Sequence, residues 1–173
     1  GDTATGNLGR SFHFRQPVFD VYVDRLPRSL VLASVAFVLS LVIGVPAGVL
    51  SAVRPGRGLA RGFRAVALTG VSVPNFVIAT TLILIFAVKL RWLPTSGAGS
   101  VRQLIMPAIA LGWYFAAATM RLTQSSMLEV MRGEYVKLAR LKGVPEWLVI
   151  AKHALKNALI PVLTLAGVNF VVM

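Results

Sequence analysis

An all-α membrane protein, a polytopic bundle of transmembrane helices, is the fold class that the sequence predicts, and three observations carry it. Hydrophobic residues make up 56% of the chain and charged residues only 14%, with a mean hydropathy of +0.75, far from the soluble globular range. Uncharged apolar runs recur at 29–53, 65–88 and 103–120, each near the roughly 20 residues that cross about 30 Å of hydrocarbon. Lys and Arg collect in the connections between these runs.

Residues 1–28 are less apolar than a span. Val18, Phe19, Tyr22, Val23 and Leu26 fall at helical spacing after Pro17, opposite Asp20, Asp24 and Arg25. Two readings stand: a short amphipathic helix on the outer membrane face, or a plain extracytoplasmic connector. Pro27 then suits the first turn of the next helix. The first apolar run is too long and starts too late for a signal peptide, whose apolar core is about 7–15 residues. Within it Gly44 and Gly48 are four apart, a small-residue face for close helix packing.

The connection after this run carries Arg54, Arg57, Arg61 and Arg64 without an acid, and is expected on the cytoplasmic side. The Lys89–Arg102 loop, with Trp92 and the turn "LPTSG", then faces outward. The segment 121–157, with seven basic and three acidic residues, faces the cytoplasm. A fourth apolar run starts at Ala158 and is still running at Met173, so the 173 residues are expected to belong to a longer polypeptide. The net charge of +12 is explained by orientation and by anionic membrane lipid, not by nucleic acid.

The spans hold no Asp, Glu, His or Lys, the groups that ion-coupled transporters keep at membrane depth. Their strongest polar feature is "TGVSVPNF", where Ser72 and Asn75 flank Pro74. A Pro frees backbone carbonyls that polar side chains or water then satisfy. Either Ser72 and Asn75 line a hydrated passage, or Asn75 bonds across to a neighbouring helix. Trp113 and Tyr114 sit deep in the third run, for packing or for stacking on a ligand. Catalytic signatures are missing: no phosphate-binding Gly-rich loop, no His-Glu-x-x-His, no Gly-x-Ser-x-Gly. The absence of Cys excludes disulfides and thiolate sites within these residues, and His13 and His153 are expected on opposite sides of the membrane. The chain is therefore expected to have no catalytic or metal site of its own.

What remains is the polar insert "EYVKLARLKGVPEW" at 134–147. Leu128, Met131, Tyr135, Leu138 and Leu141 recur at spacings of three and four, which predicts one amphipathic helix over 128–141 with Glu134, Lys137 and Arg140 off the stripe. Gly143 follows Lys142 where a left-handed helix cap belongs. Pro145 suits the start of a second helix through Trp147, Leu148, Ala151 and Leu155. Helix, sharp turn and helix together form a compact elbow on the cytoplasmic face.

These residues resemble a known family. "ARLKG" at 139–143, followed by "KHALKNALIP" at 152–161, is similar to the cytoplasmic coupling loop of bacterial ABC-importer permeases of the peptide and nickel type. Ala139 and Gly143 fall on the second Ala and the Gly of the family's Glu-Ala-Ala…Gly pattern. Lys137 and Leu138 stand where that pattern has Glu and Ala, and Glu134 lies one turn earlier. The stretches "NLGRSF", "RLPRSLVLA", "VSVPNF" and "AVKLRWLPTSG" resemble the first of the two permease subunits of dipeptide and oligopeptide importers.

The resemblance implies a helix bundle with one more span before residue 1, the rest of the fourth run, and one further span. It implies a second homologous permease, two cytoplasmic ATPase subunits that hold ATP and Mg, and an extracytoplasmic solute-binding protein. The loop of Glu134, Lys137, Ala139, Arg140, Lys142, Gly143, Val144 and Pro145 would seat on an ATPase, and no cofactor would bind this chain. Peptide is the expected solute, with nickel chelate or glutathione as alternatives within the family. A channel or a membrane scaffold is the alternative outside it.

Overall fold

The computed structural model describes residues 17–56, 58–97 and 99–172. Expectations that rest on residues 1–16, including "NLGRSF" and His13, and on Arg57 lie outside the described residues. The described part is helical, with no strand ladder among those residues.

Helix α1 runs from Val18 to Val53 without interruption. The expected boundary at Pro27 does not exist, because Pro27 lies inside α1, as does Pro46. One missing N–H at each Pro removes a single rung, and the remaining i to i−4 bonds carry the helix across. α2, Gly58–Ser72, begins well before the second apolar run.

That run, expected as one span from 65 to 88, is broken. α2 ends at Ser72, α3 spans Asn75–Leu82, a π-helical segment continues over Ile83–Lys89, and the two halves meet at 103°. The cause is Pro74: it has no N–H for the Gly70 carbonyl, and it forces Val73 out of helical conformation. The outer loop then turns back on itself. The Trp92 and Leu93 amides both donate to the Phe86 carbonyl, at 2.8 and 3.2 Å.

α4 extends from Val101 to Met131. Its start is tied by the Gln103 side chain, whose oxygen accepts from the Gly99 and Ser100 amides at 2.7 and 3.0 Å. The expected end of the span at Met120 is only the end of the uncharged run. The charge at Arg121 stops the apolar run but does not break the backbone ladder, so the helix continues until Gly133.

α5, Glu134–Leu141, and α6, Glu146–Leu148, form the elbow. α6 passes through a π-helical segment, Val149–Leu155, into α7, Lys156–Val172. Among the described residues three helices are long and apolar enough to cross a membrane, and the bent α2–α3 pair makes a fourth if counted as one span.

The core is built from small residues, and its largest interface joins α1 and α4. Ala36, Ser40, Ala47 and Ser51 are buried along one face of α1. A Cβ on Gly44 would lie 2.8 Å from the Ala116 carbonyl oxygen and 2.8 Å from Thr119 Cβ. One on Gly48 would lie 2.6 Å from Thr123 Cβ. The backbones thus approach as closely as Gly allows, which is how packing is gained where lipid supplies no hydrophobic drive. Buried Ser40 and Thr123 donate to carbonyls of their own helices, Phe37 and Thr119, both at 2.7 Å.

At the end where the Arg residues cluster, Arg64 of α2 donates to the Ser51 carbonyl of α1 at 3.1 Å. With the Gln124 amide turned so that its oxygen faces the guanidinium, that oxygen accepts from Arg64 Nη2 and Nε at 2.9 and 3.1 Å. Three helices meet at one side chain.

Candidate functional site

The elbow hangs from the end of α4. Gly133 breaks the helix there: its own amide bonds the Val130 carbonyl at 3.0 Å, and its carbonyl accepts from Val136 and Lys137 to start α5. The single helix expected over 128–141 is therefore two, and its stripe faces the other way. Val136 is fully buried and Ala139 nearly so, packed with Val149 and bordered by Val130 and Val144. Leu138 and Leu141, expected on the packed stripe, are 53% and 85% exposed. Burying Val136 and Val149 stabilises the elbow by about 1.5–3 kcal/mol each relative to exposure.

Gly143 has φ +75°, the left-handed conformation expected of it. Around it the Gly143 amide donates to the Arg140 carbonyl at 3.0 Å and the Val144 amide to the Ala139 carbonyl at 3.2 Å. This pair of bonds is the Schellman motif, and its usual apolar contact is present, because Val144 borders the Val136–Ala139 cluster. Pro145 sits at the cap before α6 rather than in its first turn, and its carbonyl accepts from Leu148 and Val149 at 2.9 and 3.1 Å.

Two further ties close the elbow. Arg140 Nη2 and Nε donate to Glu146 Oε1 and Oε2 at 2.6 and 3.1 Å across the turn. This hydrogen-bonded pairing raises the Arg140 pKa and holds the Glu146 carboxyl below the ordinary carboxylate value. The Asn157 amide donates both to the Tyr135 hydroxyl, at 3.1 Å, and to the His153 carbonyl, at 3.0 Å. The start of α7 is thereby pinned to α5. Lys137 pairs with Glu134 at 2.8 Å, with both side chains open to solvent, so the Lys that departs from the family pattern consumes the nearby carboxylate.

Sequence reasoning missed Glu146, Tyr135 as a donor's partner, and Asn157. The only signal for the first was opposite charge at Arg140 and Glu146 on either side of a Gly-x-Pro turn. Asn157 lies within "KHALKNALIP" but carried no role. The two intramembrane candidates stand apart from the elbow. Ser72 is exposed at the end of α2, and Asn75 opens α3 with a buried Oδ1 that has no hydrogen-bond partner among the described residues. An apolar groove of about 340 Å³ beside the break is lined by Thr69, Val77, Thr81, Ile109 and Trp113, without either of them. Tyr114 packs its ring edge-on against Phe115 at 5.1 Å.

Residues 44–173 match the profile of the family described as the inner membrane component of binding-protein-dependent transport systems. The chain belongs to that family. It is similar to the oligopeptide transport system permease protein OppB of Salmonella typhimurium and to that of Escherichia coli, 39% identical to each over 171 residues. It is 40% identical over 172 residues to a putative peptide transport system permease protein of Brucella abortus. The matches cover 97%, 97% and 95% of this chain. The chain spans 56%, 56% and 55% of the length of these relatives. As a binding-protein-dependent transport component with several apolar helices, it is a multi-pass protein of the bacterial inner membrane.

Proposed function

We propose that this chain is a permease subunit of an ATP-binding-cassette importer for di- or oligopeptides, forming half of the translocation path with a second homologous permease. The observation that carries the reading is the braced elbow. Its inner residues Ala139, Val144 and Val149 lock it to α4, Arg140 and Glu146 close its turn, and Lys137, Leu138, Leu141 and Lys142 face outward around Gly143. A soluble partner that fits this tip meets a rigid body. Two cytoplasmic ATPase subunits, holding ATP and Mg, would seat it, and a solute-binding protein would deliver peptide on the other face.

ATPase closure would push the elbow and, through the continuous helix from Glu146 to Val172, the span beyond it. α4 would move with it, because Met131 and Glu134 are joined only by Arg132 and Gly133. This chain needs no catalytic site or cofactor for that work. Ser72 and Asn75, at the break in the second run, belong to the proposed path, where the unpartnered Asn75 oxygen would meet water or solute.

The test is reconstitution of the whole importer in liposomes with candidate binding proteins. Stimulation of ATP hydrolysis by a peptide-loaded binding protein, with peptide uptake, is the expected result. Stimulation by a nickel-chelate or glutathione carrier alone would reassign the solute. Solute flux without any ATPase partner would point to a channel.

A further inference from the structure

The elbow joins the bundle at two places, and the α-helical ladder is interrupted at both. At its front, Arg132 and Gly133 separate α4 from α5. At its back, the helix from Glu146 to Val172 passes through the π-helical segment Val149–Leu155. Gly is the most permissive residue of the backbone, and long helices kink at π-helical turns. Val149, at the start of that segment, is packed with Val136 and Ala139 of the elbow. Ala154, near its other end, is packed with Ala52 of α1, Met127 of α4 and Ala158 of α7. The π-helical turn thus lies between the body that a partner would push and the body that would have to follow.

One pair of side chains spans both interruptions. The Tyr135 ring lies against Gly133, where an added Cβ would come within 3.1 Å of its Cε1. Asn157, in the first turn of α7, donates from Nδ2 to the Tyr135 hydroxyl at 3.1 Å and to the His153 carbonyl, inside the π-helical segment, at 3.0 Å. An amide nitrogen has two hydrogens, enough for both bonds. A single line of contacts therefore runs from the front joint through Tyr135 and Asn157 to the middle of the back one. Tyr135 is 43% exposed and Asn157 is open to solvent, so the bond between them adds little to global stability. Its effect is on shape, because it holds α5 and the start of α7 together across the π-helical turn.

We propose that Tyr135 and Asn157 are positioning residues for energy coupling. They brace the Gly133 joint and the π-helical joint, so that a push on the elbow reaches α7 instead of being absorbed as bending. The coupling role rests on the importer reading; the brace itself does not. Gly143 shapes the tip that docks, and Tyr135 with Asn157 decides how much of its displacement passes on.

Docking and transmission are separable by measurement. Tyr135→Phe removes one hydroxyl and keeps the ring on Gly133, whereas Asn157→Leu removes both hydrogen bonds. The whole importer is reconstituted in liposomes with its ATPase subunits and a tripeptide-loaded binding protein. Each variant is expected to lower tripeptide uptake per ATP hydrolysed by about threefold or more. Co-purification of the ATPase subunits should be unchanged, and Tyr135→Phe should add nothing on top of Asn157→Leu. An unchanged ratio in Tyr135→Phe, additive losses in the double variant, or lost co-purification would each overturn the coupling role. If Asn157→Leu does not assemble, Tyr135→Phe decides alone.

Hydrogen exchange reads the brace without transport. In the purified complex Tyr135→Phe is expected to speed exchange at the amides of 149–155 severalfold, and equal rates would overturn the brace. If the unaltered importer takes up no tripeptide, the peptide reading falls, and the exchange result still decides the brace.

Discussion

Arg140 holds Glu146 with two hydrogen bonds, 2.6 and 3.1 Å, across a turn whose centre is a left-handed Gly143. Both side chains are partly open to solvent, so the pair acts as a surface clasp that orders the turn and contributes little to global stability, about 0.2–1 kcal/mol. Glu146→Gln is expected to speed hydrogen exchange at the amides of 142–149 severalfold, and exchange mass spectrometry on the purified complex reads it. High salt should shrink the difference.

The same clasp has a pH signature. The Glu146 pKa is depressed in the folded elbow, so its contribution is fully present above the ordinary carboxylate value and is lost as pH falls through the lower folded value. Protection of these amides, corrected for intrinsic exchange, is therefore expected to stay level from about pH 7 to about pH 5 and to decline in more acidic buffer. In Glu146→Gln this acid-dependent decline should be absent.

Gly143 tests backbone conformation without steric interference, because a Cβ there would meet nothing within 4 Å. Gly143→Val is expected to cost about 1–2 kcal/mol from the left-handed φ, to loosen the Schellman bonds, and to reduce co-purification of ATPase subunits and transport together. Gly143→Asn should retain most of both, since Asn tolerates that conformation. Full activity in the Val variant would disconnect the cap from docking.

Gly48 tests the α1–α4 contact. The nearest atoms to an added Cβ include the Met120 carbonyl oxygen at 2.7 Å, which cannot swing aside as a side chain would. Gly48→Val is expected to lower the thermal stability of the purified complex by about 1–3 kcal/mol or more. Gly62→Ala, where an added Cβ meets nothing within 4 Å, should be neutral or slightly stabilising.

Arg64 is expected to act through geometry as well as charge. Lys keeps the charge but cannot reach the Ser51 carbonyl and the Gln124 oxygen with one fork. Arg64→Lys and Gln124→Leu should each destabilise the complex, and a double-mutant cycle should give a coupling of about 1 kcal/mol. Strict additivity would deny the bond between them.

Much of the elbow was legible in the order of residues. A Gly after basic residues and a Pro two positions on define a cap and a restart through local backbone sterics alone; the cap is where expected, and the restart comes one residue later, with Pro145 as the N-cap of α6. The orientation of α5 was not legible. Periodicity shows that Tyr135, Leu138 and Leu141 share a face, but not whether that face meets the protein. With eight residues, α5 turns whichever side fits Val130 and Val149, and the smaller Val136 and Ala139 fit. Hydropathy likewise marked where charge interrupts an apolar run, not where α4 ends, because a helix ends by losing its backbone bonds.

Composition and order were thus enough for the membrane class, the positions of the apolar runs and the cap at Gly143, since each follows from local transfer energies or local sterics, whereas the run over 65–88 was expected whole and is broken at Pro74. The bend of 103°, the seating of Gly44 and Gly48 against Thr119 and Thr123, and the meeting of Arg64 with Ser51 and Gln124 came only with the folded chain. These relations join residues far apart in sequence, and a Gly or a Gln carries no local mark of the partner it will meet.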